Sequence, residues 1–104
     1  MSDPELDIGL LRAFETLYAH RNVTRAAEQL GIGQPALSAR LTRLRALFGD
    51  TLFTPSSTGR GVVPTARADQ LDPRVGDLIA RLARLAEPVT FEPMTSERTF
   101  RLAL

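Results

Sequence analysis

Gln34, Pro35, Ser38 and Ala39 open a stretch of helical pattern, and two of them carry groups that can touch nucleic-acid bases. A glutamine amide donates and accepts at once, and adenine is its usual bidentate partner in a major groove. Ser38 can donate to a base or to a phosphate. Ala39 offers only apolar contact, for instance to a thymine methyl. On a helical wheel Pro35, Ala39, Thr42 and Arg43 lie opposite Leu37, Leu41, Leu44 and Phe48, whose spacing of four, three, four marks a buried stripe. Arg43 and Arg45 fall where backbone phosphates would pass. Taken singly, each of these residues is ordinary helix-start or surface chemistry, and many surface arginines touch only water. Their significance depends on what positions them.

Residues 23 to 42 read as two helices joined by a tight turn. Asn22 can cap the first, and Ala26, Ala27 and Leu30 form its inner face. The two alanines let a neighbouring helix approach closely. Gly31 ends this helix as a left-handed residue, and Ile32 plugs the turn. Gly33 stands at the N-cap of the second helix, and Pro35 falls in its first turn, where a missing N–H costs nothing. Thr24 and Arg25, at the start of the first helix, are placed for phosphate contact. This arrangement holds one helix on a core and offers its tip to a DNA major groove.

A helix over residues 7 to 20, capped by Asp7, buries Leu10, Leu11, Phe14, Leu17 and Tyr18 and completes a three-helix core. His20 is a surface residue at its end. Beyond Phe48, Gly49 and Asp50 break the second helix of the pair. Thr51 to Phe53 and Val62-Val63 read as strands around a turn-forming loop, 54 to 61, and so as a β-hairpin wing. Arg60, flanked by glycines, is placed to reach the adjacent backbone or minor groove.

The longest helix spans residues 66 to 88. Leu71, Val75, Leu78, Leu82 and Leu85 repeat at four, three, four, three, an a/d stripe over two heptads. Dimerisation is the expected use of that stripe, and packing on its own domain is the alternative. Pro73 would cost about 3 kcal/mol inside a helix, so a kink or a restart is expected at Asp72-Pro73, with Asp72 as a local cap. Residues 89 to 98 read as a polar linker, and 99 to 104 as a strand with no sheet to join.

The net charge of +1 hides a division along the chain. Residues 1 to 20 carry −3, residues 21 to 67 carry +5, and residues 68 to 104 carry −1. The basic excess sits on the helix pair and the wing, as a nucleic-acid surface requires. There is no cysteine and one histidine, which excludes disulfides, thiolate metal sites and histidine-pair metal sites. No carboxylate pair, activated nucleophile or phosphate loop is in evidence, so an enzyme is not expected. No apolar run is long enough for a membrane span or a signal peptide, and the cytoplasm follows.

The helix pair resembles the helix-turn-helix of the LysR-type transcriptional regulators. The matching elements are Thr24-Arg25-Ala26-Ala27 and Gln34-Pro35-Ala36-Leu37-Ser38, followed by Leu52-Phe53 and Pro64-Thr65 in order. The stretch Arg43-Leu44-Arg45 with Leu47-Phe48-Gly49-Asp50 further resembles the nodulation and aromatic-catabolism branch. The resemblance covers essentially the whole chain. It implies a mainly α fold: a winged helix-turn-helix, with a three-helix core and a β-hairpin wing, followed by a long dimerisation or linker helix. Residues 7–65 would be the DNA-binding domain, 66–88 the linker helix, and 89–104 the hinge and first strand of a truncated effector-binding domain. It also implies control of transcription by a homodimer, able to form a tetramer at full length, that reads an interrupted palindrome in double-stranded DNA. No cofactor is expected in this fragment, and a small-molecule inducer is expected for the full-length protein. Three positions depart from the pattern: Ala39 where many members have a longer polar residue, Pro55 where many have arginine, and Gly33 in place of the usual serine cap. The competing reading is a winged helix that binds other proteins and not DNA, against which Arg25, Arg43, Arg45 and Arg60 argue.

Overall fold

The structure is a computed structural model that describes residues 6–88. The expected linker at 89–98 and strand at 99–104 lie outside the described residues. The elements are α1 (Ile8–His20), α2 (Val23–Leu30), α3 (Gln34–Phe48), β1 (Phe53–Pro55), β2 (Val62–Pro64) and α4 (Ala66–Ala86).

Side-chain caps start three of the helices. Asp7 accepts from the Leu10 N–H, Asn22 from Arg25, and Thr65 from Ala68, each satisfying a first-turn donor with no partner inside its helix. Helix α3 begins at Gly33 without a side-chain cap and carries Pro35 in its first turn. Gly31 and Gly49 end α2 and α3 in the left-handed region.

The core forms around α1, which packs against α2, α3 and α4. Leu10, Leu11, Ala13, Phe14 and Leu17 are buried along it, and Phe14 is 0% exposed. Phe14 stacks on Tyr18 with ring centroids 6.0 Å apart and meets Phe53 at 5.5 Å in a tilted arrangement. Ala26 and Ala27 bring α2 close, while Leu37, Leu41 and Leu44 seat α3.

The hairpin begins later than the sequence predicts. Its first strand is Phe53–Pro55, not Thr51–Phe53, and Pro55 belongs to a strand and not to the loop. Phe53, Thr54 and Pro55 pair antiparallel with Pro64, Val63 and Val62. The delay comes from Leu52, which is fully buried with φ +65° and so turns the chain before a strand can start. The Asp50 carboxylate accepts the Leu52 N–H at 2.8 Å and the Thr65 hydroxyl at 2.7 Å, and the Thr65 N–H donates to the Leu52 carbonyl at 2.8 Å. Prolines at both strand ends are tolerated because a two-stranded ribbon has two open edges.

Helix α4 runs unbroken from Ala66 to Ala86 with Pro73 inside it, so no restart occurs and Asp72 is not a cap. Burial on both sides of the proline offsets the lost hydrogen bond: Ala68 and Leu71 before it and Val75 and Ile79 after it all enter the core. This also corrects the expected dimerisation stripe. Leu71 and Val75 are buried in the chain's own core, and Leu82 packs partly against it. Leu78 and Leu85 remain 44% and 81% exposed. The buried face follows the helical period through Ile79, and a seven-residue repeat selects Leu78 in its place.

The knot at Asp50 has a pH signature. The Thr65 hydroxyl and the Leu52 N–H hold its carboxyl below the ordinary carboxylate value. A lowered folded value means that its stabilising contribution is whole above the ordinary value, and is lost as pH falls through the lowered one. In urea titrations across the acid range, Asp50→Asn is expected to be less stable than wild type near neutrality, with the difference closing in acid. A gap that stayed constant with pH would remove Asp50 from this role.

Candidate nucleic-acid interface

The buried stripe of α3 leaves its other side to solvent. Gln34, Pro35, Ser38, Ala39, Thr42 and Arg43 are all exposed, as are Thr24 and Arg25 at the start of α2 and Arg60 in the hairpin loop. The structure brings two of these into direct contact: the Gln34 Nε2 donates to the Thr24 Oγ1 at 3.0 Å, bridging the starts of α2 and α3. Thr42 spends its hydroxyl proton on the Ser38 carbonyl one turn back, at 3.0 Å. That bond leaves Thr42 acceptor capacity and a methyl group for any external partner.

The arginines divide by role. Arg45 commits part of its guanidinium to the chain's own backbone. Its Nε donates to the Thr51 carbonyl at 2.8 Å and its Nη2 to the Phe53 carbonyl at 3.0 Å, so it clamps the turn that leads into β1. Spacing gave no sign of this, since Thr51 to Phe53 read as a strand whose carbonyls a sheet would pair. Among the described residues the one ion pair joins Arg81 and Asp77 on α4, at 3.0 Å. Arg25, Arg43 and Arg60 therefore carry charge that no described carboxylate neutralises. With +5 over residues 21 to 67, positive charge is concentrated on α2, α3 and the hairpin that carry them.

The hairpin is fixed to the helix pair at its base. Arg21, left-handed with φ 56° between α1 and α2, offers its carbonyl to the Val62 N–H at 2.9 Å. Gly61, with φ +70°, lies so close to that carbonyl that any Cβ would overlap it. Arg21 also lies over the Tyr18 ring, 5.0 Å from its centroid, and donates from Nε to the Tyr18 carbonyl at 3.2 Å. Tyr18 in turn donates to Asp69 on α4 at 2.7 Å, a bond that holds its phenol above the ordinary value. The α1–α2 corner thus joins the hairpin to the first turns of α4. Sequence reasoning missed this chain of contacts, because its members are 51 residues apart or meet through backbone atoms.

Among the described residues no group of three or more His, Cys, Asp or Glu is placed to hold a metal ion, and no helix is long and apolar enough to cross a membrane.

The family model described as bacterial regulatory helix-turn-helix protein, lysR family, matches residues 8–69. The chain is 43% identical over 100 residues to Nodulation protein D 2 of Sinorhizobium fredii, a match covering 95% of this chain and 31% of that protein. It thus spans about a third of the length of the curated relatives it matches. A solved probable transcriptional regulator from Pseudomonas aeruginosa aligns with a TM-score of 0.72 at 40% identity, over 79% of this chain and 27% of that one. The DNA-binding domain of BenM, solved in complex with catB site 1 DNA, aligns with a TM-score of 0.70 at 25% identity, over 77% of this chain and 88% of that one.

Gly61→Ala tests the hairpin anchor. A side chain at positive φ costs about 1–2 kcal/mol before any overlap with Arg21 is counted. Lower stability in urea is expected, with faster hydrogen exchange at the Val62 amide and unchanged exchange in the middle of α3. Unchanged exchange at Val62 would mean that the Arg21 carbonyl does not hold the hairpin.

Proposed function

The chain belongs to the lysR family of bacterial regulatory helix-turn-helix proteins, and from that premise we propose that it binds double-stranded DNA sequence-specifically to control transcription. One observation carries the reading. Helix α3 is seated by Leu37, Leu41 and Leu44, and it presents Gln34, Ser38, Ala39 and Arg43 on its exposed side. Gln34, Pro35, Ser38 and Ala39 select bases in the major groove, and Thr24, Arg25 and Arg43 hold phosphates. Arg60 reaches the neighbouring backbone or minor groove from the hairpin. The DNA-binding domain of BenM, which this chain nearly spans, was solved bound to DNA, and that supports double-stranded DNA as the partner.

Two copies pair through α4. The stripe leaves Leu78 and Leu85 exposed, and Leu6 and Ile8 are exposed as well. Leu6, Leu11, Phe48, Leu71, Val75 and Leu78, with Arg74, line a mostly apolar groove of about 220 Å³ beside them. A second copy covers the exposed members, Leu6, Leu78 and Leu85, and the two α3 helices then meet the halves of an interrupted palindrome. In a longer protein carrying an effector domain, a small-molecule inducer would alter that geometry. The cytoplasm is the compartment in which such a regulator meets DNA.

Selection of bound sites from a random DNA pool at moderate salt is the test. An interrupted palindrome is expected, its half-site spacing set by α4. Gln34→Ala with Ser38→Ala should abolish the choice of sequence while leaving salt-dependent affinity. Single half-sites would sink the dimer, and no enrichment would favour a winged helix that binds proteins. For the dimer, neutralising about 8 phosphates predicts that log K falls against log salt with a slope of about −7. A slope near zero would overturn the electrostatic account.

A further inference from the structure

Thr24 is placed by its position at the start of α2 to anchor a phosphate, yet its hydroxyl already has a partner ten residues away, the Gln34 amide, at 3.0 Å. We propose that Thr24 is a positioning residue for base selection: it holds the Gln34 amide in the orientation that reads an adenine edge. This rests on the reading of α3 as the recognition helix.

A primary amide has two N–H donors and one carbonyl acceptor. Giving one N–H to Thr24 leaves the second N–H and the carbonyl oxygen, the pair that a bidentate adenine contact uses. The hydroxyl of Thr24 only accepts in this bond, so its own proton remains free for a phosphate oxygen. One hydroxyl can therefore tie the DNA backbone to the amide that reads the base.

The platform beneath the bond is rigid. Asn22 caps the turn that carries Thr24, its side-chain oxygen accepting from the Arg25 N–H at 2.9 Å. Ala26 and Ala27 bury α2 against the core, and Leu37 buries the first turn of α3. Gln34 is a long side chain with many rotamers, and ordering it at the moment of binding opposes association. A tether to a fixed hydroxyl removes part of that cost beforehand. Both side chains are exposed in the free protein, where water competes for the bond. DNA docking expels that water, so the bond strengthens when orientation matters.

The experiment measures affinity for the site that wild type selects, and for single-base variants of it. The position read by Gln34 is the one at which Gln34→Ala removes discrimination. Thr24→Val, nearly isosteric and without the hydroxyl, is expected to cut discrimination at that position about fivefold, the scale of one net hydrogen bond. Thr24→Ser should restore it. In a Gln34→Ala background, Thr24→Val should weaken all sites alike. A Thr24→Val protein that loses affinity uniformly and keeps its base preference overturns the proposal and leaves Thr24 a phosphate anchor. Loss of discrimination by Thr24→Val at positions other than the one read by Gln34 also overturns it. If wild type shows no base preference at any position, the reading of α3 fails, and this proposal fails with it. Since Thr24→Ser keeps the bond and the β-carbon hydroxyl, it separates these outcomes from a folding defect in Thr24→Val.

Discussion

Burial of the apolar face of α1 is the constraint on which the rest of the structure depends. Phe14 lies at its centre, stacked on Tyr18 and tilted against Phe53, and the other three helices all pack on this one. Alanines at 26 and 27 set how closely α2 approaches, and the leucines of α3 set how that helix rolls on the core. Rolling α3 by one residue, about 100°, would turn Gln34 and Ser38 away from solvent and expose leucine. Burial of Leu37, Leu41 and Leu44 is therefore what aims the polar side of α3 outward.

The segment between α3 and α4 is held by polar contacts as well as by the burial of Leu52 and Phe53 in the core. Asp50 gathers Leu52 and Thr65, Arg45 gathers Thr51 and Phe53, and the Arg21 carbonyl takes Val62. These bonds satisfy backbone groups that a ribbon of two three-residue strands leaves unpaired. Their effect is to locate Arg60 relative to α2 and α3 while leaving the tip itself exposed. The same corner, through Tyr18 and Asp69, attaches the first turns of α4. Position of the hairpin and direction of α4 thus share one set of supports.

Helix α4 serves two environments at once. Its first half buries Ala68, Leu71 and Val75 in the domain, and Ile79 continues that face. Its second half carries Leu85 largely free, with the exposed Asp77–Arg81 pair in the two turns before it. Pro73 sits in the half that the core grips, where packing tolerates a missing hydrogen bond.

Much of this was legible in the residues. Periodicity located α1 to α4, and Asp7, Asn22, Gly31 and Gly49 marked their ends, because capping and helical burial are local properties of a short segment. The exposed positions of α3 followed from the same period, being the complement of its leucine stripe. Only the tertiary structure decided what depends on residues far apart in the chain. It made Arg45 a clamp on the turn into β1, buried Leu52 at positive φ and so delayed that strand, carried α4 unbroken through Pro73, and divided the leucine stripe between core and surface. It also joined Thr24 to Gln34. Each of these turns on whether a second group, supplied by another element, is close enough to satisfy a polar atom or cover an apolar one, and spacing along a single segment contains no measure of that distance.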